Sequence, residues 1–270
     1  MNAGDRKSRL ESLIAQSKAV IHQALDRFGP KGLCAAMTGG KDSTACVWLL
    51  RQVCIERREK TPACVFIDEG DVFEEVWTLV SSLQKQWQLD LIVLRNDDVL
   101  KQARGIGMPI DVKVLNDQNR KALRELGVDA KEIPFFPDSP VMNHLMKTVP
   151  LRNFIQEAGI GALITAIRWD EQNARTKETY FSSRSRPDHV RVHPMLHFTE
   201  RDIWDLHFAY QIPFNVLYER GYRSLGARCA TRKLTDVPAW LQDLENTQER
   251  AGRGQDKEQI MDQLRALGYM

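Results

Sequence analysis

Residues 38 to 43 read Thr-Gly-Gly-Lys-Asp-Ser and interrupt an apolar run that resumes as a helical pattern, in the stretch AAMTGGKDSTACVWLL from 35 to 50. Two adjacent glycines let a backbone bend tightly and turn its N–H groups toward an anion. A helix N-terminus adds positive potential, and a lysine adds a mobile point charge. Thr38, Gly39, Gly40, Lys41, Asp42 and Ser43 are therefore read as a phosphate cradle. It is not the G-x-x-x-x-G-K-[ST] loop, because Ala35 stands where that pattern needs glycine and Asp42 follows the lysine. A carboxylate beside polyphosphate is repelled unless a cation lies between them, so Asp42 is expected to hold Mg²⁺. The blander alternative is a glycine turn with Ser43 capping the helix.

Further along, twelve Lys or Arg stand against eight Asp or Glu between residues 168 and 233. Arg168 directly follows the apolar run LITAI, which would place it at the ligand edge of a sheet, and its planar fork suits phosphate oxygens. Arg220, Arg223 and Arg228 are as readily a solvated basic face. Asp68, closing the run ACVFID, is a ribose or Mg²⁺ contact or else a turn aspartate. Asp170 and Glu171 orient the arginines, bind metal, or pair at the surface. His189, His193 and His197 make no metal signature with any cysteine and are read as ordinary loop or core histidines. Cys229 sits alone in the arginine-rich SLGARCATRK, where neighbouring cations would lower its pKa; the alternative is an inert small residue.

These residues need elements to hold them. Leu10, Leu13, Ile14, Val20, Ile21 and Leu25 recur at helical spacing, and then short apolar runs alternate with helical patterns. LCAAMT, ACVFID, LDLIVLRN, GALITAI and RVHPML are read as five strands. The segments starting at 42, 72, 148 and 199 are read as helices, the last N-capped by Thr199. Alternation of this kind predicts an α/β fold with a doubly wound, mainly parallel five-stranded sheet and helices on both faces. Residues 101 to 145 fit no element, and composition turns polar from about 236. The division expected is a nucleotide-binding α/β domain over 1–235 and a helical tail over 236–270.

The chain has 270 residues, 43% of them apolar, which is enough for one sizeable core. A net charge of +2 gives no polyelectrolyte signal for nucleic acid or a membrane. Five cysteines without a C-x-x-C pair argue against a disulfide framework, and no run approaches the ~18 apolar residues of a membrane span. A cytoplasmic location without membrane contact is the expectation.

Several segments together resemble the adenine-nucleotide α-hydrolases, which cut ATP between its α and β phosphates or handle adenylyl sulfates. TGGKDS is similar to that family's S-G-G-K-D-S loop, and FIDEG to its F-[IV]-D-T-G, with Glu69 replacing threonine. KTVPLRNFI resembles a segment of adenylyl-sulfate reductases, and IPFNVLYERGYRSLG one of the reductases and of eukaryotic FAD synthases; the phosphoadenosine phosphosulfate reductases and the sulfate adenylyltransferase small subunit belong to the family so resembled. AIRWDEQNARTKETYFSSR and the tail ERAGRGQDKEQIMDQLRALGYM resemble the sulfate adenylyltransferase small subunit. The resemblance implies that Arg168, Arg175 and Arg184 contact phosphate or adenylyl sulfate, and that Arg250 and Arg253 close over the nucleotide. It implies Mg²⁺ with ATP as substrate. It implies no Fe–S cluster, because Leu145-Met146 and Ala227 to Ala230 stand where the iron–sulfur branch has cysteines.

The tail ends RALGYM, without the reductases' E-C-G-L-H, so sulfonucleotide reduction is expected to be absent. The expected activity is an ATP pyrophosphatase or adenylyltransferase of sulfur metabolism, with Lys41, Asp42 and Arg168 catalytic and sulfate the favoured acceptor, working with a GTPase partner. The alternative is activation of DNA or RNA for sulfur insertion, with Cys229 relaying sulfur from a cysteine desulfurase. FMN adenylyl transfer and a non-catalytic nucleotide-binding module remain further readings. A homo-oligomer is expected.

Overall fold

The computed structural model describes residues 3–254. Helix α1 (Ala3–Phe28) lays Leu10, Leu13, Ile14, Ile21 and Leu25 on the core and hands the chain to strand β1 (Leu33–Ala36). The TGG turn leads into α2 (Lys41–Arg57), followed by β2 (Ala63–Asp68), α3 (Glu74–Trp87) and β3 (Leu91–Arg95). A smaller unit follows: α4 (Asp97–Leu100), β4 (Pro109–Asp111), α5 (Asp117–Glu125), β5 (Glu132–Pro134) and α6 (Pro140–Asn143). A π turn at His144–Thr148 enters α7 (Val149–Glu157), and β6 (Ala162–Ile164), β7 (Phe181–Ser185), β8 (Asp188–Val192) and α8 (Glu200–Ala209) complete the body.

The main sheet has the order β3-β2-β1-β6-β8-β7, parallel throughout except for the β7–β8 hairpin. The expected α/β architecture is present, with six strands rather than five. The sixth, β7, carries no apolar run: it is the edge strand FSSRS, held by backbone pairing to β8 rather than by burial on both faces. The fifth expected strand runs from Asp188 to Val192 rather than from Arg191 to Leu196: hairpin pairing with β7 carries it back to Asp188, and Pro194 cannot continue the ladder.

Strands β1 and β6 are neighbours in the sheet although the chain between them first builds outward to β3, so strand order reverses there. In open α/β sheets that reversal leaves a crevice outside the carboxyl ends of the strands. One large apolar cluster fills the α1, α2, α3 and α8 side of the sheet, and a smaller one around Val65, Leu94 and Ile155 fills the α7 side. Residues 101 to 145, unassigned from sequence, belong to the small β4–β5 unit with its own core of Val99, Ile110, Leu123, Ile133 and Phe135. Those strands, PID and EIP, each bury a single isoleucine between a proline and a carboxylate, so unlike the apolar β6 they offer no run to read.

The expected helical tail is not what residues 236–254 form. They hold a single 3₁₀ turn at Ala239–Leu241 and otherwise irregular chain, while 255–270 lie outside the described residues. Side-chain docking holds this segment: Trp240 packs at 5.4 Å on Trp204, and Arg201 grips the Glu245 carboxylate from two nitrogens at 3.0 and 3.2 Å.

Candidate nucleotide site

The turn after β1 adopts the shape its glycines allow. Gly39 has φ +73°, and a Cβ there would approach Val76 Cγ1 to 2.7 Å, so both backbone conformation and space demand glycine. Gly40 caps α2 without any side-chain hydrogen bond to the helix. Ser43 does not serve as a cap: its hydroxyl accepts from Thr38 N at 3.1 Å and can donate to Gly40 O at 3.0 Å, bracing the turn. Lys41 N donates to the Tyr218 hydroxyl at 2.9 Å, and Lys41 O lies 2.9 Å from His207 Nε2, so two buried side chains fix the loop.

Lys41 and Arg168 converge here, and neither is exposed beyond 1%. Arg168 reaches the spot because it follows β6, the strand beside β1. It ion-pairs with Asp42, and its Nε donates to Asp170 at 2.9 Å. Lys41 Nζ stands 3.3 Å from Asp42 and 3.7 Å from Glu200, which Arg223 also holds at 2.8 Å. Between the two cations lies the Glu249 carboxylate, one oxygen on Lys41 and the other on Arg168. Burial opposes the charges on Lys41, Arg168 and Glu249, yet there the pairing prevails. Arg168 and Lys41 hold the Glu249 carboxyl well below the usual range, and Glu249 and Glu200 hold the Lys41 ammonium above its own. Burial raises the Glu200 carboxyl, with Glu249 adding to it.

A cavity of about 370 Å³ opens from this point, bounded by Thr38 to Ser43, the backbones of β1 and β2, and the loops after β6. Seven Lys or Arg and five Asp or Glu line it, so its wall suits a polyanion. Arg175 and Arg250 both grip Glu171, the latter at 3.1 Å. Arg184 holds Glu178 at 3.2 Å, and Glu178 also faces His193. Arg253 packs against Gly226, where any Cβ would collide with its guanidinium, and donates to Leu225 O at 2.5 Å. Thus Arg175, Arg184, Arg250 and Arg253 all reach the cavity.

Two expected site residues lie elsewhere. Asp68 faces a neighbouring concavity with Arg95 and Arg228, where it accepts from Gly70 N at 3.0 Å as a turn aspartate does. Cys229 stands over the same acidic loop: its backbone N donates to Asp71 Oδ2 at 2.6 Å. Burial and then Asp71 push its thiol up to about 12, opposite to the lowering expected from the arginines, because Arg228 is turned onto Asp71 at 3.3 Å. Cys34, Cys46, Cys54 and Cys64 are buried in the core.

Sequence reasoning missed Glu249, Glu200, Tyr218 and His207. A signal existed for Glu249, since it opens the E-R-x-G-R pattern from which the two arginines were taken. Among the described residues no group of three or more His, Cys, Asp or Glu could hold a metal alone. The Asp42 carboxylate, the expected metal ligand, has one oxygen toward Arg168 and the other toward Lys41.

The sheet, its strand reversal and the uncapped glycine turn define a nucleotide-binding α/β protein of the pyrophosphate-loop type. The phosphoadenosine phosphosulfate reductase domain model matches residues 32–233, and the chain belongs to that family. It is 24% identical over 226 residues to the phosphoadenosine 5'-phosphosulfate reductase of Xanthomonas oryzae pv. oryzae, covering 84% of this chain and 81% of that one. It is 24% identical over 172 residues to the adenosine 5'-phosphosulfate reductase of Geobacillus kaustophilus, covering 64% and 63%. Its fold matches the phosphoadenylyl-sulfate reductase of Candida auris with a TM-score of 0.57 at 15% identity, over 86% and 98% of the chains. It also matches the Candida glabrata FMN adenylyltransferase solved with FAD and pyrophosphate, at 0.62 and 17% identity, over 96% and 78%.

These relatives overturn the exclusion of sulfonucleotide reduction. That exclusion rested on a cysteine motif missing from the tail, whereas the kinship to named reductases runs along 84% of the chain. One absent motif at the end of a chain does not outweigh similarity through the whole nucleotide-binding body. No described helix is long and apolar enough to cross a membrane.

Proposed function

We propose that the cavity binds an adenine nucleotide with its terminal phosphates in the Gly39–Ser43 turn, and that the chain transfers adenylyl groups by cleaving ATP between its α and β phosphates. One observation carries this reading: Lys41 and Arg168, both buried, converge beside an uncapped helix N-terminus and already clasp an anionic group there. Phosphoryl-type transfer needs positioning and charge neutralisation more than a side-chain nucleophile. The α2 N-terminus and Lys41 draw the β and γ phosphates in, and Arg168 stabilises the charge that grows on departing pyrophosphate. Arg175 and Arg250 stand one layer further out for the α phosphate or an anionic acceptor. Asp42 would hold a Mg²⁺ arriving with the phosphates, and that ion, when bound, neutralises charge on the leaving group. Sulfate is the acceptor favoured by the cationic wall; a GTPase partner, a cytoplasmic setting and a homo-oligomer belong to the same proposal.

The test is product analysis. With MgATP and sulfate, the protein is expected to release pyrophosphate and to exchange labelled pyrophosphate into ATP. ADP with orthophosphate would refute it.

A second reading is sulfonucleotide reduction, favoured by the family match and the names of the relatives. It uses the same nucleotide cavity, and its test is sulfite release from adenylyl sulfate or phosphoadenylyl sulfate in the presence of a dithiol. Nucleic-acid thiolation through Cys229 is the less supported reading, because burial and then Asp71 raise the thiol pKa rather than lowering it as a reactive relay cysteine needs.

A further inference from the structure

Glu249 stands where the proposed reading puts a phosphate. Its carboxylate is 7% exposed, and its two oxygens divide between the two cations meant for the ligand. The residue belongs to no helix or strand; it rides on the irregular segment after Leu241. That segment is fastened at both sides of it. Arg223 donates to the carbonyls of Asp243, Leu244 and Thr247 at 3.1 to 3.3 Å. Beyond it, Arg253 donates to Leu225 O at 2.5 Å, and Arg232 N to Gly252 O at 2.9 Å. A short strap is thus anchored at two ends, with one of its carboxylates, Glu249, dipped into the cradle.

Resting on the nucleotide-cradle reading, we propose that Glu249 is an internal ligand of the phosphate cradle and sets which anions the site admits. A carboxylate carries one charge and two oxygens, and being tethered it competes at an effective concentration of about millimolar. An incoming group must therefore offer Lys41 and Arg168 more than a carboxylate does. Orthophosphate or sulfate, exchanging like for like, gains little by displacing it. A di- or triphosphate gains, because it adds oxygens for the α2 N-terminus and for Arg175 while it replaces the carboxylate on the two cations. The same exchange run backwards helps pyrophosphate leave once the bond to the nucleotide is broken, since Glu249 can refill the place it vacates.

This differs from a strut. A carboxylate kept only to hold Lys41 and Arg168 in position would aid anion binding, and its loss would weaken the site. An internal competitor opposes binding, and its loss strengthens the site.

The experiment is calorimetric titration of the full chain with sodium pyrophosphate and, separately, orthophosphate, comparing the native protein with Glu249→Gln. The glutamine keeps shape and polarity and removes the charge. The expected result is a gain in pyrophosphate affinity of at least about tenfold, equal to about 1.4 kcal/mol, with orthophosphate binding becoming measurable. Equal or weaker pyrophosphate binding by the variant overturns the proposal. Hydrogen exchange in the native protein gives a readout that needs no variant: pyrophosphate is expected to speed exchange around residues 247 to 251, and unchanged or slower exchange there contradicts displacement. Lys41→Met in the Glu249→Gln background separates this from the parent reading. Should pyrophosphate bind equally well without Lys41, the cradle itself is misassigned. Should Lys41 matter and Glu249→Gln bring no gain, only the role of Glu249 fails.

Discussion

At the scale of the residue, the site is a balance of buried charges, so single substitutions act on binding and on stability together. Lys41→Met leaves Glu249 and Glu200 buried with one cation fewer, which costs about 3 to 5 kcal/mol when a buried pair is broken. Nucleotide affinity measured by calorimetry is expected to vanish, and the thermal midpoint to fall. Arg168→Lys keeps the charge but not the fork that reaches Asp42, Asp170 and Glu249 at once. The expected loss in kcat/KM is about a hundredfold, with a lower thermal midpoint as well, because one ammonium cannot replace all three buried contacts. His144 lies apart from the site, against the small unit's core. Burial lowers its pKa to about 4, and its Nε2 has no hydrogen-bond partner. The unfolded chain therefore takes up a proton near pH 6.5 that the folded chain refuses until about 4. Its contribution to stability is complete above pH 6.5 and is lost as pH falls through that window, by up to about 3 kcal/mol. Denaturant titrations should show that slope, and His144→Gln should flatten it.

At the scale of the element, the decisive unit is the turn between β1 and α2. Gly39→Ala combines a positive φ with a collision at Val76, so it is expected to destabilise by more than about 1 kcal/mol and to abolish nucleotide binding. Tyr218→Phe is milder: it removes the hydroxyl that takes the Lys41 N–H and leaves the aromatic cluster with Trp204 intact. A rise in KM of about tenfold, with kcat little changed, is the expected result; an unchanged KM would show that the hydroxyl does not hold the loop. This turn was legible in the sequence, because glycine pairs, a lysine and a helix start leave a local signature. So was Arg168, placed by the end of an apolar run. The partners were not: Tyr218, His207 and Glu249 lie more than 160 positions from Lys41 and meet it only through the fold. Cys229 was misjudged for the same reason, since burial in the fold and Asp71, 158 positions away, raise its proton affinity against the arginines beside it in the chain.

At the scale of the whole molecule, the doubly wound sheet followed from alternating apolar strands and helical periods, and the strand reversal then fixed where a ligand could sit. The β7 edge and the β4–β5 unit stayed hidden because edge pairing and strands with a single buried isoleucine carry no apolar run. Residues 236–254 were misread as helical from their charge, whereas their docking depends on Trp240, Glu245 and Glu249 finding distant partners. Family membership and fold agree with a nucleotide site, and the account stands on what that site does to ATP. The most direct measurement is the product pattern from MgATP, separated by ion-exchange chromatography with sulfate present and absent. The account predicts pyrophosphate together with an adenylylated acceptor or AMP, lost in Arg168→Lys. ADP with orthophosphate, or ATP left intact and unbound at millimolar concentration, would contradict it.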